Sequence, residues 1–191
     1  RKLLLAVLTI IAIVGFSYLQ KSSSNERPLN YIYIHNEGTT FGTIYHVKYL
    51  YNKDLKTEIE AELHRVDASL SMFNPQSTIS LINKGESNTA DSMLAEVLHL
   101  SFAVNRATDG AFDPTVAPLV NAWGFGFESS QGVDSLTIDS LCQYVGMSNV
   151  YYDGEQIIKT DSCVKLDCSA IAKGYGCDVV AALFNSKGIR N

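Results

Sequence analysis

One segment of the sequence combines an acid, a hydroxyl and a lysine at the predicted start of a helix. It reads DCSAIAK and spans residues 167–173, directly after a strand predicted over residues 164–167. Free N–H groups and the dipole at a helix N-terminus attract anions, and Lys173, one turn in, can neutralise a phosphate. The segment therefore predicts a phosphate contact. The alternative is that Ser169 only caps the helix and Lys173 is a solvated charge.

A second segment predicts a rigid loop. It reads TDGAFDPT (108–115), and the run WGFGF (123–127) follows it. Two aspartates, a glycine and a proline restrict the backbone, and the aromatic run would form a flat wall. These residue types indicate a ligand-binding loop. The alternative is that Asp113 only caps a helix whose first residue is Pro114.

A third segment, TTFGT (39–43), predicts a turn of small residues before a strand. We expect the single aromatic in it, Phe41, to be exposed. Gly42 would let the backbone approach a ligand closely, because glycine has no side chain. The alternative is an ordinary strand entrance.

Composition and absent motifs exclude several function classes. The 191 residues carry 15 basic and 20 acidic side chains, a net charge of −5, which argues against a basic nucleic-acid-binding face. The sequence has no Gly-x-Gly-x-x-Gly, no P-loop motif and no Gly-x-Ser-x-Gly, which excludes the common dinucleotide, P-loop and hydrolase folds. Four cysteines without a Cys-x-x-Cys pair and four scattered histidines do not support a zinc site, and leave a disulfide possible.

Hydrophobic periodicity predicts the elements that position these segments. The predicted strands cover residues 31–35, 43–51, 149–152, 156–159 and 164–167, and the predicted helices cover 55–70 (capped by Asp54), 89–109, 137–145 and 169–186. Asp153-Gly154 predicts a hairpin turn between two of the short strands. Because the strands pair as hairpins around long helices, we expect an α+β fold with mixed antiparallel sheets and packed helices.

The N-terminus differs in composition from the rest. Arg1 and Lys2 precede an almost unbroken apolar run over residues 3–19, which is typical of a signal sequence or uncleaved membrane anchor. The polar, serine-rich residues 21–30 predict a tether. We therefore expect an anchor over 1–20, a tether over 21–30 and one domain over 31–191, with the protein exported and held at the inner membrane facing the periplasm.

The three segments together resemble the ApbE family of FAD:protein FMN transferases. The motifs that carry the resemblance are TTFGT (39–43), SLSMFNPQSTISLIN (69–83), TDGAFDPTVAPLVNAWGFG (108–126) and LDCSAIAKGYGCD (166–178). They occur in the family's order and cover about 150 residues. The resemblance implies an exported α+β enzyme that needs Mg²⁺ and takes FAD as substrate. Such an enzyme attaches FMN through a phosphoester to a threonine of a target protein, such as a flavin-carrying subunit of a membrane redox complex, and releases AMP.

The resemblance also implies which residues bind the ligands. The FAD contacts fall on Phe41, Phe73, Ala111, Phe112, Asp113, Asp167 and Lys173, and the backbone carbonyl of Ala170 falls at the Mg²⁺ site. Family members continue well beyond Asn191, so we expect this sequence to be truncated and the catalytic residues and remaining metal ligands to lie in the C-terminal half. Two alternatives stay open: an FAD pyrophosphatase of the same family, or a truncated, non-catalytic, membrane-tethered flavin-binding module.

Overall fold

The structure is a computed structural model that describes residues 30–125 and 133–191. The predicted anchor, nearly all of the predicted tether and the last two residues of the WGFGF run lie outside these ranges. Within them, no helix combines the length and apolar character needed to cross a membrane. The four cysteines all lie within the described ranges and are free thiols.

The described chain opens with a long hairpin. Strand β1 (Ile32–Thr40) pairs antiparallel with β2 (Thr43–Tyr51), in a register that runs from Ile32 opposite Tyr51 to Thr40 opposite Thr43. The first strand is five residues longer at its C-terminal end than the prediction that ended it at residue 35, because its pairing with β2 continues up to the turn. Phe41 and Gly42 form that turn with φ values of 51° and 68°, as a two-residue hairpin connection requires.

Three helices follow the hairpin. They are α1 (Lys56–Leu70), α2 (Thr78–Lys84) and α3 (Ser92–Ala107). Asp54 accepts a hydrogen bond from the Lys56 N–H (2.9 Å), although Leu55 occupies the N-cap position itself. Sequence periodicity gave no indication of the short α2.

The prediction that α3 begins at Thr89 is wrong by three residues. The Asp91 carboxylate caps α3 by accepting hydrogen bonds from the N–H groups of Met93 and Leu94. Thr89 and Ala90 pair instead with the chain at Glu155 and Gln156, through a β-bridge and a 2.9 Å backbone hydrogen bond. This pairing holds them in extended backbone.

The second half contains shorter elements and one long helix. A 3₁₀ helix (Pro114–Val116) leads into α4 (Ala117–Ala122), and α5 (Ser135–Cys142) is followed by a second 3₁₀ turn (Met147–Asn149). A short hairpin comes next, formed by β3 (Val150–Tyr152) and β4 (Ile157–Lys159). The last element is the long helix α6 (Ser169–Ser186). Helix α5 starts two residues earlier than predicted because Asp134 caps it by accepting a hydrogen bond from the Thr137 N–H. It ends at Cys142, three residues earlier than predicted. With two separate antiparallel hairpins among packed helices, the predicted α+β class is confirmed.

The prediction of a strand over residues 164–167 is wrong. This segment belongs to no sheet because its backbone groups bond to other partners. The Leu166 N–H and C=O both bond to the side-chain amide of Asn83, and the Asp167 N–H donates to the Pro114 carbonyl (2.6 Å). The buried Val164 and Leu166 still point into the core, which explains the strand-like alternation in the sequence.

Two hydrophobic clusters hold these elements together, and Phe41 packs against both. The larger cluster includes Val66, Leu70, Ile79, Ile82, Leu94, Val97, Leu98, Val164 and Leu166. The smaller cluster consists of Tyr49, Leu55, Ile59, Leu63, Val180 and Ile189. The turn of the first hairpin is therefore fixed against both parts of the core, at the place where α6 crosses between them.

Candidate functional site

A small pocket lies beside the N-terminal turn of α6. Its cavity is about 40 Å³, and it brings together three of the predicted FAD contacts, Phe41, Phe73 and Lys173, although they are far apart in sequence. The other lining residues are Leu70, Ser71, Met72, Ser169 and Ala172. We call these eight residues the small pocket.

Phe41 enters the small pocket from the hairpin turn. It is half-buried rather than exposed as predicted, because its ring lies over Gly176 of α6. A Cβ atom at position 176 would stand 2.9 Å from Phe41 Cε2, so a larger residue there would displace the ring. The sequence analysis assigned no role to Gly176, although the residue lies within the quoted motif 166–178, and it missed this contact. A glycine in the interior of a long helix was the available signal, since helices disfavour glycine.

Phe73 and Lys173 present side chains to solvent at the mouth of the small pocket. The Phe73 side chain is 63% exposed, and its backbone N–H donates to Ser71 Oγ (3.2 Å), which fixes the turn after α1. Lys173 lies in the second turn of α6, is exposed and forms no ion pair with the described residues. An aromatic face and a cation therefore stand side by side at one opening, as a flavin nucleotide requires.

Asp113 organises the loop predicted to bind a ligand. Its Oδ1 accepts hydrogen bonds from both the backbone N–H (2.8 Å) and the hydroxyl (2.6 Å) of the fully buried Thr115. Thr115 Oγ1 in turn accepts from the Gly146 N–H (2.6 Å). Asp113 thus caps the 3₁₀ helix that begins at Pro114, as the alternative interpretation proposed. A carboxylate that holds the loop through Oδ1 retains Oδ2 as an acceptor.

Asp167 forms a similar hydrogen bond to the backbone two residues later, just before α6. Its carboxylate accepts a hydrogen bond from the Ser169 N–H (2.7 Å), while its own N–H donates to the Pro114 carbonyl. Cys168, not Ser169, is the N-cap residue of α6, so the alternative in which Ser169 caps the helix is wrong. The bond from Asp167 to Pro114 joins the second and third sequence segments directly. We call residues 111–116 and 164–168 the loop wall.

Two asparagines that sequence analysis missed hold the loop wall through hydrogen bonds to its backbone. Asn83 Nδ2 donates to the Leu166 carbonyl and Asn83 Oδ1 accepts from the Leu166 N–H, both at 2.8 Å. Asn105 Nδ2 donates to the Phe112 carbonyl at 2.7 Å. Asn83 is the last residue of the quoted motif 69–83, and each asparagine reaches the backbone next to a predicted contact.

The remaining predicted contacts lie along the loop wall rather than in the small pocket. Ala111 is exposed and Phe112 half-buried, and they follow Asp109 and Gly110, whose φ values of 49° and 82° turn the chain sharply after α3. Ala111 and Phe112 line no part of the small pocket. The hydrogen bond from the Asp167 N–H to the Pro114 carbonyl connects their loop to the residues that precede α6 and the small pocket.

The described residues do not form a Mg²⁺ site by themselves. Ala170 is the second residue of α6 and is exposed, but in residues 30–125 and 133–191 no three His, Cys, Asp or Glu side chains stand close enough to share a metal ion. The Cys168 thiol is fully buried and so is not presented at this surface, and burial, with the nearby Asp167 carboxylate, raises its pKa to about 12. A single backbone carbonyl is too few donors for a hard cation.

Helix α6 is also held at its solvent side. The Tyr175 hydroxyl donates to Glu96 Oε2 of α3 (2.7 Å), and burial followed by this bond raises the pKa of Tyr175 to about 12. The Tyr175 phenol therefore stays protonated at physiological pH and can donate this hydrogen bond to the Glu96 carboxylate. This bond fixes the turn of α6 that follows Lys173.

The sequence model of the ApbE family matches residues 41–191. The chain belongs to the ApbE family. A FAD:protein FMN transferase of Vibrio cholerae is 33% identical over 169 residues, which are 83% of this chain and 51% of the relative. One from Haemophilus influenzae is 36% identical over 172 residues, covering 81% of this chain and 49% of the relative. The chain thus spans about half the length of the curated relatives it matches.

Solved structures of ApbE proteins have the same fold. The flavin transferase ApbE from Vibrio cholerae superposes with a TM-score of 0.79 at 32% identity, covering 84% of this chain and 56% of that one. The apo form of the flavinyl transferase ApbE from Pseudomonas stutzeri gives a TM-score of 0.77 at 28% identity, covering 86% and 56%. The family match covers the second and third motif segments completely and the first segment from Phe41 onward.

Proposed function

We propose that this chain is the FAD-binding part of an FAD:protein FMN transferase, which attaches FMN to a threonine of a target protein and releases AMP. The observation that carries the proposal is the small pocket, where Phe41, Phe73 and Lys173 meet beside the loop wall. The chain's membership of the ApbE family supports the identity of the ligand. The names of its relatives support the reaction.

Each side of the site has a distinct role in the proposal. Phe73 stacks on the flavin ring, because its exposed face is available at the pocket mouth. Lys173 and the first turn of α6 attract the pyrophosphate, because the ammonium is positive and the helix dipole places partial positive charge at that end of the helix. Asp113 and Asp167 accept hydrogen bonds from ribose hydroxyls or ring N–H groups through the oxygens that do not hold the loop.

The proposed reaction is a phosphoryl transfer. The acceptor threonine oxygen attacks the FMN phosphorus, the bond from that phosphorus to the bridging oxygen breaks, and AMP leaves with that oxygen. The proton of the threonine hydroxyl is released to solvent in the same exchange. The described residues supply binding and orientation of FAD, and the proposal assigns no proton transfer to them. Mg²⁺ belongs to the proposal only with donors from outside the described residues, since Ala170 alone does not form a site.

A location at the membrane is part of the same proposal. Its support is the sequence alone, in which two basic residues precede the apolar run over residues 3–19 and a polar tether follows. An exported, membrane-held enzyme would meet a flavin-carrying subunit of a membrane redox complex at the periplasmic face. Cell fractionation followed by protease treatment of intact spheroplasts tests this arrangement.

Incubation with FAD, MgCl₂ and a candidate acceptor tests the reaction. The acceptor and its Thr→Ala variant are separated on a denaturing gel and examined for flavin fluorescence, while AMP and free FMN are measured in the supernatant. Fluorescence on the threonine form only, with release of AMP, is the expected result. Release of FMN and AMP without labelled acceptor would assign the protein as an FAD pyrophosphatase. Bound FAD without AMP would assign a flavin-binding module, and no FAD binding would overturn the proposal.

A further inference from the structure

A larger cavity opens at the C-terminal end of α2. It measures about 840 Å³, and its lining comes from residues 82–88, at and after the end of α2, and from residues 157–165, which include β4. We call it the lysine cavity, because Lys84, Lys159 and Lys165 all line it. None of the predicted FAD contacts lines it, and it shares no lining residue with the small pocket.

Two of these lysines place their ammonium groups against the last turn of α2. Lys159 Nζ donates to the Ile82 carbonyl (2.9 Å), and Lys165 Nζ donates to the carbonyl of the next residue, Asn83. Both side chains are half-buried. Burial, followed by the positive charge of Lys165, lowers the pKa of Lys159 to about 8. The fold therefore keeps two cations that repel each other side by side at one cavity.

The carboxylates of the same cavity do not pair with these two cations. Glu86 and Asp161 also line it, but among the described residues neither forms an ion pair with Lys159 or Lys165. The Asp161 carboxylate instead accepts a hydrogen bond from the Cys163 N–H (2.7 Å). An ammonium has three donors, so each lysine retains two beyond its carbonyl bond. These donors can bond to an anion that enters the cavity.

Capping of α2 does not by itself explain the number of cations. The C-terminal end of a helix carries only about half a negative charge. Helix α2 has 7 residues, yet Lys84 lies in its last turn and Lys159 and Lys165 bond to its carbonyls. Helix α6 has 18 residues, and the one lysine at its end is the C-cap residue Lys187. The short helix therefore has more positive charge around its end than its dipole can balance.

We propose that the lysine cavity binds a phosphate group, whose oxygens accept hydrogen bonds from both Lys159 and Lys165. A phosphate dianion matches the two ammonium groups in charge, and it can accept several charge-assisted hydrogen bonds at once. Soluble phosphates and lipid headgroups share this chemistry. The inference goes beyond the proposed function, because the site lies apart from the residues assigned to FAD.

Calorimetric titration of the intact chain with inorganic phosphate tests the site. All variants carry Lys173→Ala, so that phosphate at the first turn of α6 does not contribute. Lys159→Gln and Lys165→Gln should each weaken phosphate binding about tenfold, because each removes a charge-assisted hydrogen bond. Glutamine keeps an N–H group for the carbonyl, and urea unfolding checks that each variant is folded.

Two further variants serve as controls for this titration. Lys159→Arg keeps the charge and should keep most of the affinity for phosphate. Lys187→Gln removes a lysine at the end of α6 that lines no part of the lysine cavity, and it should change nothing. Absence of phosphate binding, or equal binding in Lys159→Gln and its parent, would overturn the inference.

The dependence of binding on pH gives an independent measurement. Sulfate is the probe, because its charge does not change as the pH is raised through 8. Its affinity should fall as Lys159 loses its proton, and bound sulfate should shift the titration of the Lys159 Cε resonance, followed by NMR, to higher pH. The other charged or titratable groups of the cavity are Lys84, Glu86, Asp161, Cys163 and Lys165. Cys163→Ser should keep the same pH profile, whereas an unshifted Lys159 titration would overturn the inference.

Two more ligands identify the source of the phosphate. Glycerol 3-phosphate represents a soluble ester, and vesicles of phosphatidic acid, with phosphatidylcholine vesicles as control, represent a lipid headgroup. Binding that Lys159→Gln weakens supports the site and names the source. Binding that Lys159→Gln leaves unchanged would place the phosphate elsewhere and overturn the inference. FAD affinity, measured without Lys173→Ala, should not change in Lys159→Gln, and its loss would assign the cavity to FAD instead.

Discussion

The loop wall and the small pocket use their polar groups in different ways. In the loop wall, Asp113 and Asp167 already accept hydrogen bonds from the backbone they precede, and the Asp167 N–H is bonded to Pro114. In the small pocket, Lys173 has no ion pair with a described residue and Phe73 exposes most of its ring. The loop wall is a fixed surface, whereas the small pocket presents an exposed aromatic ring and a cation at its opening.

This difference predicts which substitutions lower the stability of the protein and which lower its affinity for ligand. A substitution in the loop wall removes bonds within the protein, so it should lower the free energy of unfolding before any ligand is added. A substitution at an exposed side chain of the small pocket should lower the affinity for FAD and leave the free energy of unfolding nearly unchanged. Each variant below is therefore judged by two measurements, the free energy of unfolding and the affinity for FAD.

Asp113→Ala should have the largest effect on the loop wall. It removes the N-cap of the 3₁₀ helix and leaves the buried Thr115 hydroxyl without its acceptor, which together should cost about 2 kcal/mol of unfolding free energy. Urea unfolding measures this. Asp113→Asn keeps an acceptor oxygen and should recover most of the loss. Unchanged stability in Asp113→Ala would show that the loop wall is not held by this residue.

Phe73→Ala should weaken FAD binding by roughly 1–3 kcal/mol, by analogy with aromatic stacking on nucleic-acid bases. Its stability should not change, because the side chain is 63% exposed. The matched control is Tyr151→Ala, since Tyr151 is equally exposed on β3, outside the small pocket. Calorimetric titration with FAD measures the affinity. An unchanged affinity in Phe73→Ala would remove Phe73 from the binding surface.

Lys173→Ala should weaken FAD binding about tenfold while leaving riboflavin binding unchanged, because a charge-assisted hydrogen bond to phosphate is lost. Lys187→Ala removes the same charge at the other end of α6 and should affect neither ligand. Parallel titrations with FAD and riboflavin measure the selectivity. Equal losses for both ligands, at unchanged melting temperature, would contradict the assignment of Lys173 to the phosphate.

Alanine substitutions at two glycines of α6 should change stability in opposite directions, and these are the smallest effects that we expect. Gly176→Ala places a methyl group against the Phe41 ring and should cost about 1 kcal/mol of stability and weaken FAD binding. At Gly174 nothing stands within 4 Å of an added Cβ, so Gly174→Ala should gain about 0.5–1 kcal/mol from helix propensity. Thermal unfolding compares the two. Increased stability in both variants would show that the Phe41 ring moves aside for the methyl group without cost.

The sequence was sufficient where a local pattern determines structure. The 3.6-residue periodicity identified the buried face of α1, and Ile59, Leu63, Val66 and Leu70 are all buried. Alternation identified β2 with its correct bounds. The motif resemblance predicted three FAD contacts, Phe41, Phe73 and Lys173, that the structure brings together in the small pocket.

The sequence was insufficient where distant residues determine structure. The segment 164–167 has the alternation of a strand, but its hydrogen-bond partners are the Asn83 side chain and Pro114 rather than another strand. Phe41 was expected to be exposed because nothing in the turn itself shows that Gly176 leaves room for its ring. The roles of Asn83 and Asn105 are also invisible locally, because each donates to backbone in another part of the chain.

The contact between Phe41 and Gly176 also has a consequence for the order of folding. The hairpin that carries Phe41 can form from local contacts alone, whereas the helix that carries Gly176 lies at the opposite end of the described chain. Because a chain is synthesised from its N-terminus, the hairpin is available before α6 is made. Until then the Phe41 ring has no Gly176 surface to pack against, and the side of the small pocket that carries Lys173 is not formed. Flavin uptake should therefore be a late event in biogenesis, and acquisition of FAD reports that both ends of this chain have come together.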